Sequence, residues 1–339
     1  MAIEQDKVKV AWYKTPIPRE TWALLIQRSD WKGLGQALGH LGLLAISGTA
    51  AWYAVGRLPW PVVLLLLFAH GTMYGFLGAG FHELVHQTVF KTKALNTFFL
   101  YLISFLSWGN PVMYWTSHQE HHKYTLHPPD DLEVVLPLEL TLKGFLRSAF
   151  VSPWDLFYRA KFVGGLALGH VDGRWEKYLF PTEAAAARRR LFTWARLALL
   201  GHLLIVVVSL YFGWWMVPVL TTFAPFYGGW LVYLCGATQH AGLQDNVPDF
   251  RLCTRTFTVN PFVQFLYWHM NYHIEHHMYA AVPCYNLARL HAAIEADMPP
   301  YPRGLIATWR EILPILERQK QDPTYQFVAP LPSRGAVAS

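Results

Sequence analysis

His273-Ile274-Glu275-His276-His277 decides how this chain is read, and His118-Gln119-Glu120-His121-His122 is its twin upstream. Both are H-x-x-H-H. On a helix, positions i, i+3 and i+4 share one face, so each box presents three imidazoles to one point. His82-Glu83-Leu84-Val85-His86 adds two more at i, i+4. With 16 His in 339 residues, chance supplies roughly 0.03 H-x-x-H-H matches in the whole chain. Two matches are therefore a signal, and neutral imidazole is the commonest metal-binding side chain.

Around these boxes the composition is that of a membrane protein. It is 53% hydrophobic and 15% charged, where soluble domains carry about 25% charged residues. The 15 Trp, 17 Tyr and 21 Phe suit the aromatic belts of a bilayer interface. The net charge of +6 fits the positive-inside bias of membrane proteins, and no nucleic-acid motif accompanies it. Cys235, Cys253 and Cys284 are scattered with no C-x-x-C, which excludes a disulfide framework and an iron–sulfur site.

Residues 1–33 are polar, with Lys7, Lys9, Lys14, Arg19, Arg28 and Lys32; they are too polar for a signal peptide and read as a cytosolic or interfacial arm. Leu34 to Val55 is long enough to span a bilayer once. After the break at Gly56-Arg57-Leu58-Pro59, Trp60 to Gly80 makes a second span and runs on to His82 and His86. His40 and His70 inside these spans read as core histidines bonded to neighbouring helices. Residues 94–108 are apolar but short, an interfacial or re-entrant helix. Residues 138–180 read as interfacial helices joined by loops. Leu191 to Phe212 is a third span, and Trp214 to about Gly236 a fourth, delivering His240 just beyond its end. A helix carrying His269, His273, His276 and His277 follows. The tail holds one helix over about 284–297 and another over about 304–320, interrupted at Pro314, before a Pro-rich, disordered end. The organisation is thus an arm (1–33), a membrane domain (34–297) and a C-terminal helix and tail (298–339).

Basic residues test the topology. Residues 1–33 hold 6 Lys and Arg, 81–190 hold 12 and 237–339 hold 8 of the 28 in the chain. The positive-inside rule then puts both termini and the long middle loop in the cytoplasm. Nine candidate ligands fall on that side: His82, His86, His118, His121, His122, His240, His273, His276 and His277. A zinc site takes three or four protein ligands, so nine suit two metal ions of four or five ligands each. All-nitrogen ligation allows iron, zinc, copper or nickel. A cluster at a membrane face is placed for an apolar substrate, and unactivated C–H bonds need a strong oxidant, which iron and dioxygen can supply.

H-x-x-x-H at 82–86, H-x-x-H-H at 118–122, the lone His240 and H-x-x-H-H at 273–277 together resemble the membrane fatty acid desaturase superfamily over about residues 60–295. The resemblance implies an all-α membrane protein: four transmembrane helices in two hairpins under a cytosolic helical cap that holds a dinuclear site. It implies two iron ions on these nine histidines, dioxygen as co-substrate, and an acyl chain or other lipid as substrate. The two electrons come from a separate ferredoxin, rubredoxin or cytochrome-type donor, because the chain carries no redox domain of its own. Asn271-Tyr272-His273 through Met278-Tyr279, with the shorter first box, looks most like a bacterial branch that includes the dihydrorhizobitoxine desaturase, and the Ala/Arg/Leu-rich usage leans towards a bacterial inner membrane. His127 and Asp131 follow the second box as in the family and are expected to orient ligands. His269 is extra, either an orienting or a packing histidine. Where acyl-CoA desaturases place an Asn one turn before the lone His, this chain has Gly236, so the resemblance does not carry that contact over.

Rival readings exist. The same site could hydroxylate as a monooxygenase, since both outcomes use one oxidant and differ in substrate position. His82-Glu83-x-x-His86 also matches the H-E-x-x-H of zinc metalloproteases, with Glu83 as base, but an intramembrane protease leaves seven clustered histidines without a role. A metal transporter or haem protein needs ligands at mid-membrane depth, where only His40, His70 and His202 lie.

Overall fold

Apolar runs and their breaks set the long helices. In the computed structural model, which describes residues 9–333, Asp30–Ala54 is a 25-residue helix whose N-terminus is capped by Ser29, accepting from the Lys32 N–H. It ends at Gly56, whose φ of +73° lies in the left-handed region where glycine carries no steric cost. Trp60–Gly75 starts just after Pro59, with Pro61 in its first turn, where a missing N–H costs nothing. It packs back on the first helix. After a small break at Phe76, Leu77–Val85 carries on. Trp60–Val85 (26 residues) and Ala185–Tyr211 (27 residues) are long and apolar enough to cross a membrane. Among the described residues there is no β-strand, only isolated bridges.

The chain between these helices forms a second layer. Lys93–Leu106 is a 14-residue apolar helix, as expected too short for a comfortable span. Leu142–Ala149, Pro153–Ala167 and Arg174–Leu179 are short helices, and Pro153–Ala167 lies against Ala185–Tyr211. The main core joins Leu77 and Leu84 to Ile274, Met278, Leu287 and Leu290, so the third histidine box is packed onto the helix that bears the first. Trp268, fully buried, lies against Gly80, where a Cβ would come within 2.6 Å of its indole. The arm is held down by Asp297: Thr15 Oγ1 and Tyr13 Oη donate to its Oδ2 at 2.5 and 2.8 Å, and Arg251 Nη1 donates to Oδ1 at 2.6 Å.

Three expectations need correction. The segment from Trp214 to Gly236 is not one helix. It breaks into Met216–Leu220, a 3₁₀ turn at Ala224–Phe226, and Trp230–Gly236. Pro225 cannot donate to a ladder, and Gly228, at φ +70°, reverses the chain. The freed groups find partners: Trp108 Nε1 donates to Thr222 O (2.8 Å), His70 Nε2 to Leu220 O (3.0 Å) and Tyr227 Oη to Val219 O (3.0 Å). Next, the helix of the third box begins at His273, not before His269, because Trp268 and His269 adopt φ of +51° and +61°. Last, Leu305–Gln321 runs unbroken through Pro314, since buried Ile312 and Ile315 hold it to the core. The described part of the tail is also tied in: Phe327 N–H donates to Gly242 O at 2.8 Å, and Gln326 Nε2 to Asp245 Oδ1 at 2.7 Å. The ends of the expected arm and tail, 1–8 and 334–339, lie outside the described residues.

The histidines inside the apolar layer behave as core histidines. His40 Nε2 faces Met73 O at 3.0 Å while its Nδ1 accepts from Trp268 Nε1. His202 Nε2 faces Phe105 O at 3.1 Å. Each meets a carbonyl in the last turn of a helix, which takes the imidazole as a second partner beside a cap N–H, Phe76 N–H on Met73 O and Trp108 N–H on Phe105 O.

Candidate metal centre

Four chain segments bring the nine histidines together. His82 sits in Leu77–Val85 and His86 caps its end. His118, His121 and His122 occupy the last turns of Pro111–Tyr124, a helix that starts with a proline and an Asn110 cap accepting from Val112 and Met113 N–H. His240 follows Trp230–Gly236 in a turn. His273, His276 and His277 lie on His273–Met278.

The nine divide into two groups. In His82, His86, His118, His122 and His276, the ligating nitrogens all lie within 4.8 Å of one another. The Nε2 atoms of His82 and His276 are 2.9 Å apart, and those of His118 and His122 are 3.0 Å apart. The second group is His121, His240 and His277. His273 joins it, with its Nε2 3.1 Å from both His240 Nε2 and His277 Nε2. The rings of His122 and His277 stack at 4.4 Å between the groups. His118, His121, His240, His273, His276 and His277 are buried.

The outer ring nitrogens say which inner ones carry lone pairs. His240 Nδ1 is 2.9 Å from the Cys253 carbonyl, which can only accept, so Nδ1 holds the proton and Nε2 is bare. His277 Nδ1 is 3.1 Å from Thr125 Oγ1, whose own proton goes to His121 O; His277 Nε2 is therefore also bare. His121 Nδ1 donates to Asp131 Oδ2 and His118 Nδ1 to Glu133 Oε1, both at 2.8 Å. Bare Nε2 atoms thus converge at about hydrogen-bond distance with too few protons between them. His86 Nε2 is buried with no hydrogen-bond partner. Such a donor set is costly when empty and fits a cation at each point; each imidazole contributes one nitrogen, and hard oxygen ligands are absent from both groups.

Electrostatics agree with neutral ligands. Burial, then the neighbouring imidazoles, holds His122, His273 and His277 well below the usual histidine range. Burial and His121 push His240 down to about 3. Burial also lowers His118, against the pull of Glu133. His121 goes the other way: burial lowers it, but the Asp131 hydrogen bond and charge outweigh this and raise it. Burial would raise Glu133, yet His118 and Ser117 bring it down to about 2. Metal ligation requires the deprotonated imidazole, and most of these sites supply it.

Among the other singled-out residues, Asp131 does contact a histidine of the cluster. It is fully buried and also accepts from Leu126 N–H and Glu133 N–H. His127 bonds the Thr125 carbonyl through Nδ1 and packs on Trp12; His269 pairs with Gln264. Both join neither group. Gly236 fronts open space, since an added Cβ meets nothing within 4 Å. Glu83 turns its buried carboxylate to the outer side of His276, 3.2 Å from Nδ1, near contact without hydrogen-bond geometry. It faces a ligand's back, not a bound water as a protease base must. Glu275 points away, accepting from Thr256 and His291 at 2.5 Å. Sequence reasoning missed Glu133, Thr125 and Tyr114, whose hydroxyl is 2.7 Å from His82 Nδ1. Tyr114 stands one turn before His118 on its helix, a signal at i+4 that was available; Glu133 lies past a turn at no helical spacing.

No curated protein matches the chain. Residues 57–309 match the family described as Fatty acid desaturase, a stretch that contains all nine histidines and most of the 339 residues. Members of that family are membrane-bound oxidoreductases of lipid metabolism that generally carry two irons and usually draw electrons from a separate donor. With both histidine groups inside the matched stretch, the chain belongs to the fatty acid desaturase family and is an oxidoreductase.

Proposed function

We propose that the protein is a di-iron oxidase that uses dioxygen and two electrons to desaturate a C–C bond in a fatty acyl or related lipophilic chain. The observation that carries the reading is the split of nine imidazoles into groups of five and four with converging bare nitrogens. Two iron ions bound there would supply the oxidising power that unactivated C–H bonds require. The residues of the chain do the rest. His82, His86, His118, His122 and His276 hold one ion, and His121, His240, His273 and His277 the other. Asp131, Glu133, Thr125 and the Cys253 carbonyl fix which ring nitrogen keeps its proton, so that each Nε2 stays free for metal. Burial among Leu84, Ile274 and Met278 keeps water from the cluster.

The topology proposed with this function has four passes. Asp30–Ala54 and Trp60–Val85 make the first hairpin; Ala185–Tyr211 and the broken segment 216–236 make the second. Irregular backbone at membrane depth is tolerated when its groups are satisfied internally, as they are at Leu220 and Thr222. The histidine layer and both termini then face the cytoplasm of a bacterial inner membrane, with residues 34–297 as the membrane domain, and a ferredoxin, rubredoxin or cytochrome-type carrier supplies electrons.

Metal content by mass spectrometry tests the reading. About two irons per chain, lost in the His121→Ala, His276→Ala double variant, are expected. Lipid analysis of expressing cells should then reveal a new alkene; a new alcohol would identify the hydroxylating outcome. One zinc per chain, retained in the double variant but lost on His82→Ala, would overturn the proposal.

A further inference from the structure

We propose that Arg255 is the positioning residue for the His240 ligand, and that the C-terminal helix holds Arg255 in place through Glu311. The inference rests on the reading of His240 as a metal ligand and adds what fixes it there. His240 is the one ligand that is alone on its segment. It stands four residues past Gly236, where the helix Trp230–Gly236 ends, so no helical face aims it. The Cys253 carbonyl steadies its ring, but the turn that carries it needs a support of its own.

Arg255 supplies that support. Nη1 donates to Thr238 O at 2.8 Å and to Ala241 O at 3.0 Å, one carbonyl on each side of His240. Neither carbonyl meets a backbone N–H among the described residues. The Arg255 N–H donates to Gln239 O at 2.9 Å, and the Leu243 N–H to His240 O at 3.2 Å. Of the four consecutive carbonyls from Thr238 to Ala241, Arg255 therefore holds all but that of His240 itself. The side chain is 4% exposed, and a guanidinium so buried is costly unless its charge is paired and its donors are used. Glu311 Oε1 accepts from Nε at 3.1 Å. Nη2 has no protein partner, so Nε and Nη1 place the group. The next residue serves the other side of the same ion: Thr256 Oγ1 accepts from Ile274 N–H at 3.1 Å and donates to Glu275 at 2.5 Å. Residues 253–256 thus join the His240 turn to the helix of His273 and His277.

The C-terminal segment carries no ligand, yet it grips this turn from end to end. Trp309 Nε1 donates to Leu234 O at 3.1 Å. Gly242, at φ +72°, lies so close to the helix Leu305–Gln321 that a Cβ would come 2.3 Å from Ile315 Cγ2. Phe327 N–H donates to Gly242 O at 2.8 Å, and Gln326 Nε2 to Asp245 Oδ1 at 2.7 Å. His240 sits in the middle of the stretch these contacts cover. If the turn loosens, His240 Nε2 leaves the four-imidazole group. The five-imidazole group takes no ligand from this segment and keeps its geometry.

The test is a double-mutant cycle on iron binding. Detergent-purified protein loaded with ferrous iron is dialysed against a graded chelator. Iron per chain is measured for the wild type, Arg255→Met, His240→Ala and the double variant. Arg255→Met removes every side-chain donor at similar length. It should release one iron at a chelator activity about 10- to 100-fold below that of the wild type, with the other iron unmoved. In the His240→Ala background the same substitution should move that iron by no more than about twofold, because no ligand is left to position. Arg255→Lys, which keeps a donor for the two carbonyls, should recover most of the loss, and Glu311→Ala should loosen the same iron to a smaller extent. Gly71→Ala, destabilising at a distance, should keep both irons at the wild-type midpoints. Wild-type midpoints in Arg255→Met, equal loosening of both irons, or a full shift repeated in the His240→Ala background each overturns the inference. If Arg255→Met fails to fold, Glu311→Ala, whose side chain is 34% exposed, takes its place in the cycle; if His240→Ala holds one iron only, the selectivity and the lysine rescue decide. Both irons retained at wild-type midpoints in His240→Ala would sink the ligand assignment, and the inference with it. Selective loss in His240→Ala without one in Arg255→Met would sink the role of Arg255 alone.

Discussion

Asp131→Asn should loosen one metal and leave the other in place. The carboxylate is fully buried and accepts three bonds: His121 Nδ1–H and Leu126 N–H on Oδ2, each at 2.8 Å, and Glu133 N–H on Oδ1 at 2.9 Å. An asparagine amide offers one oxygen and one NH₂. If its oxygen takes the Oδ2 position, the NH₂ confronts Glu133 N–H; flipped, it confronts both other donors. At least one donor is stranded either way, at a cost of about 1–3 kcal/mol in stability. His121 also loses the charge behind it. Loss of such an orienting partner weakens metal binding about 10- to 100-fold, or about 1.4–2.8 kcal/mol. His121 belongs to the four-imidazole group, so that ion should leave first. The assay is iron per chain after dialysis against a graded chelator, with Asp130→Asn as the charge control. The variant should pass through a plateau at one iron per chain, its first loss occurring at a chelator activity about 10- to 100-fold below that of the wild type. Release of both irons together at the wild-type midpoint would refute the assignment of Asp131 and of the four-imidazole group.

Other consequences are structural. Gly71→Ala places a Cβ 2.3 Å from the ring and carbonyl of Tyr227 and should lower stability by about 1–3 kcal/mol, whereas Gly236→Ala, in open space, should gain about 0.4–1 kcal/mol; the two thermal midpoints should move in opposite directions. His70→Ala strands the Leu220 carbonyl, which His70 Nε2 meets at 3.0 Å, and should cost about 1–3 kcal/mol with both irons retained; loss of iron would make His70 more than a core histidine. Arg251→Ala leaves Asp249 and Asp297, each paired to it at 2.6–2.7 Å, without their buried partner, and should cost about 3–5 kcal/mol, first seen as protease cleavage near Tyr13 and Thr15. A silent Arg251→Ala would mean the arm is held by other contacts.

The histidine clusters were legible because their information is local. Three residues at i, i+3 and i+4 fix one face of one helix, and the order of the boxes along the chain did the rest. Asp131 was readable only by resemblance, and Glu133 not at all, because the turn after Tyr124 places them by backbone geometry that no periodicity encodes. The long helices were legible as apolar runs. The fourth was misread for the same reason: hydropathy over 214–236 is high, and it registers side chains while the break is made by Pro225 and Gly228 acting on the backbone. His70 was the signal that such a break existed, since a buried imidazole in an apolar layer needs a free carbonyl, here Leu220 O, and a continuous helix offers few. His269 was placed on the box helix because the i, i+4 spacing to His273 allowed it; two consecutive left-handed residues, anchored by the buried Trp268 ring, removed it.

The two groups are also unequal in a way that orders their affinities. Imidazole ligands are neutral, so charge compensation for a bound cation must come from the carboxylates behind them. The five-imidazole group has two, Glu133 on His118 and Glu83 beside His276. The four-imidazole group has one, Asp131. Ligand number and charge therefore favour the same group, and a protein refilled from the iron-free state by substoichiometric iron should load the five-imidazole group first. Glu133→Gln works against that order, because it removes half of the charge behind the stronger group and the partner that fixes His118. If the order is set by these carboxylates, a single equivalent of iron in Glu133→Gln should distribute between the groups instead of filling one. An unchanged order would mean that ligand count alone ranks them.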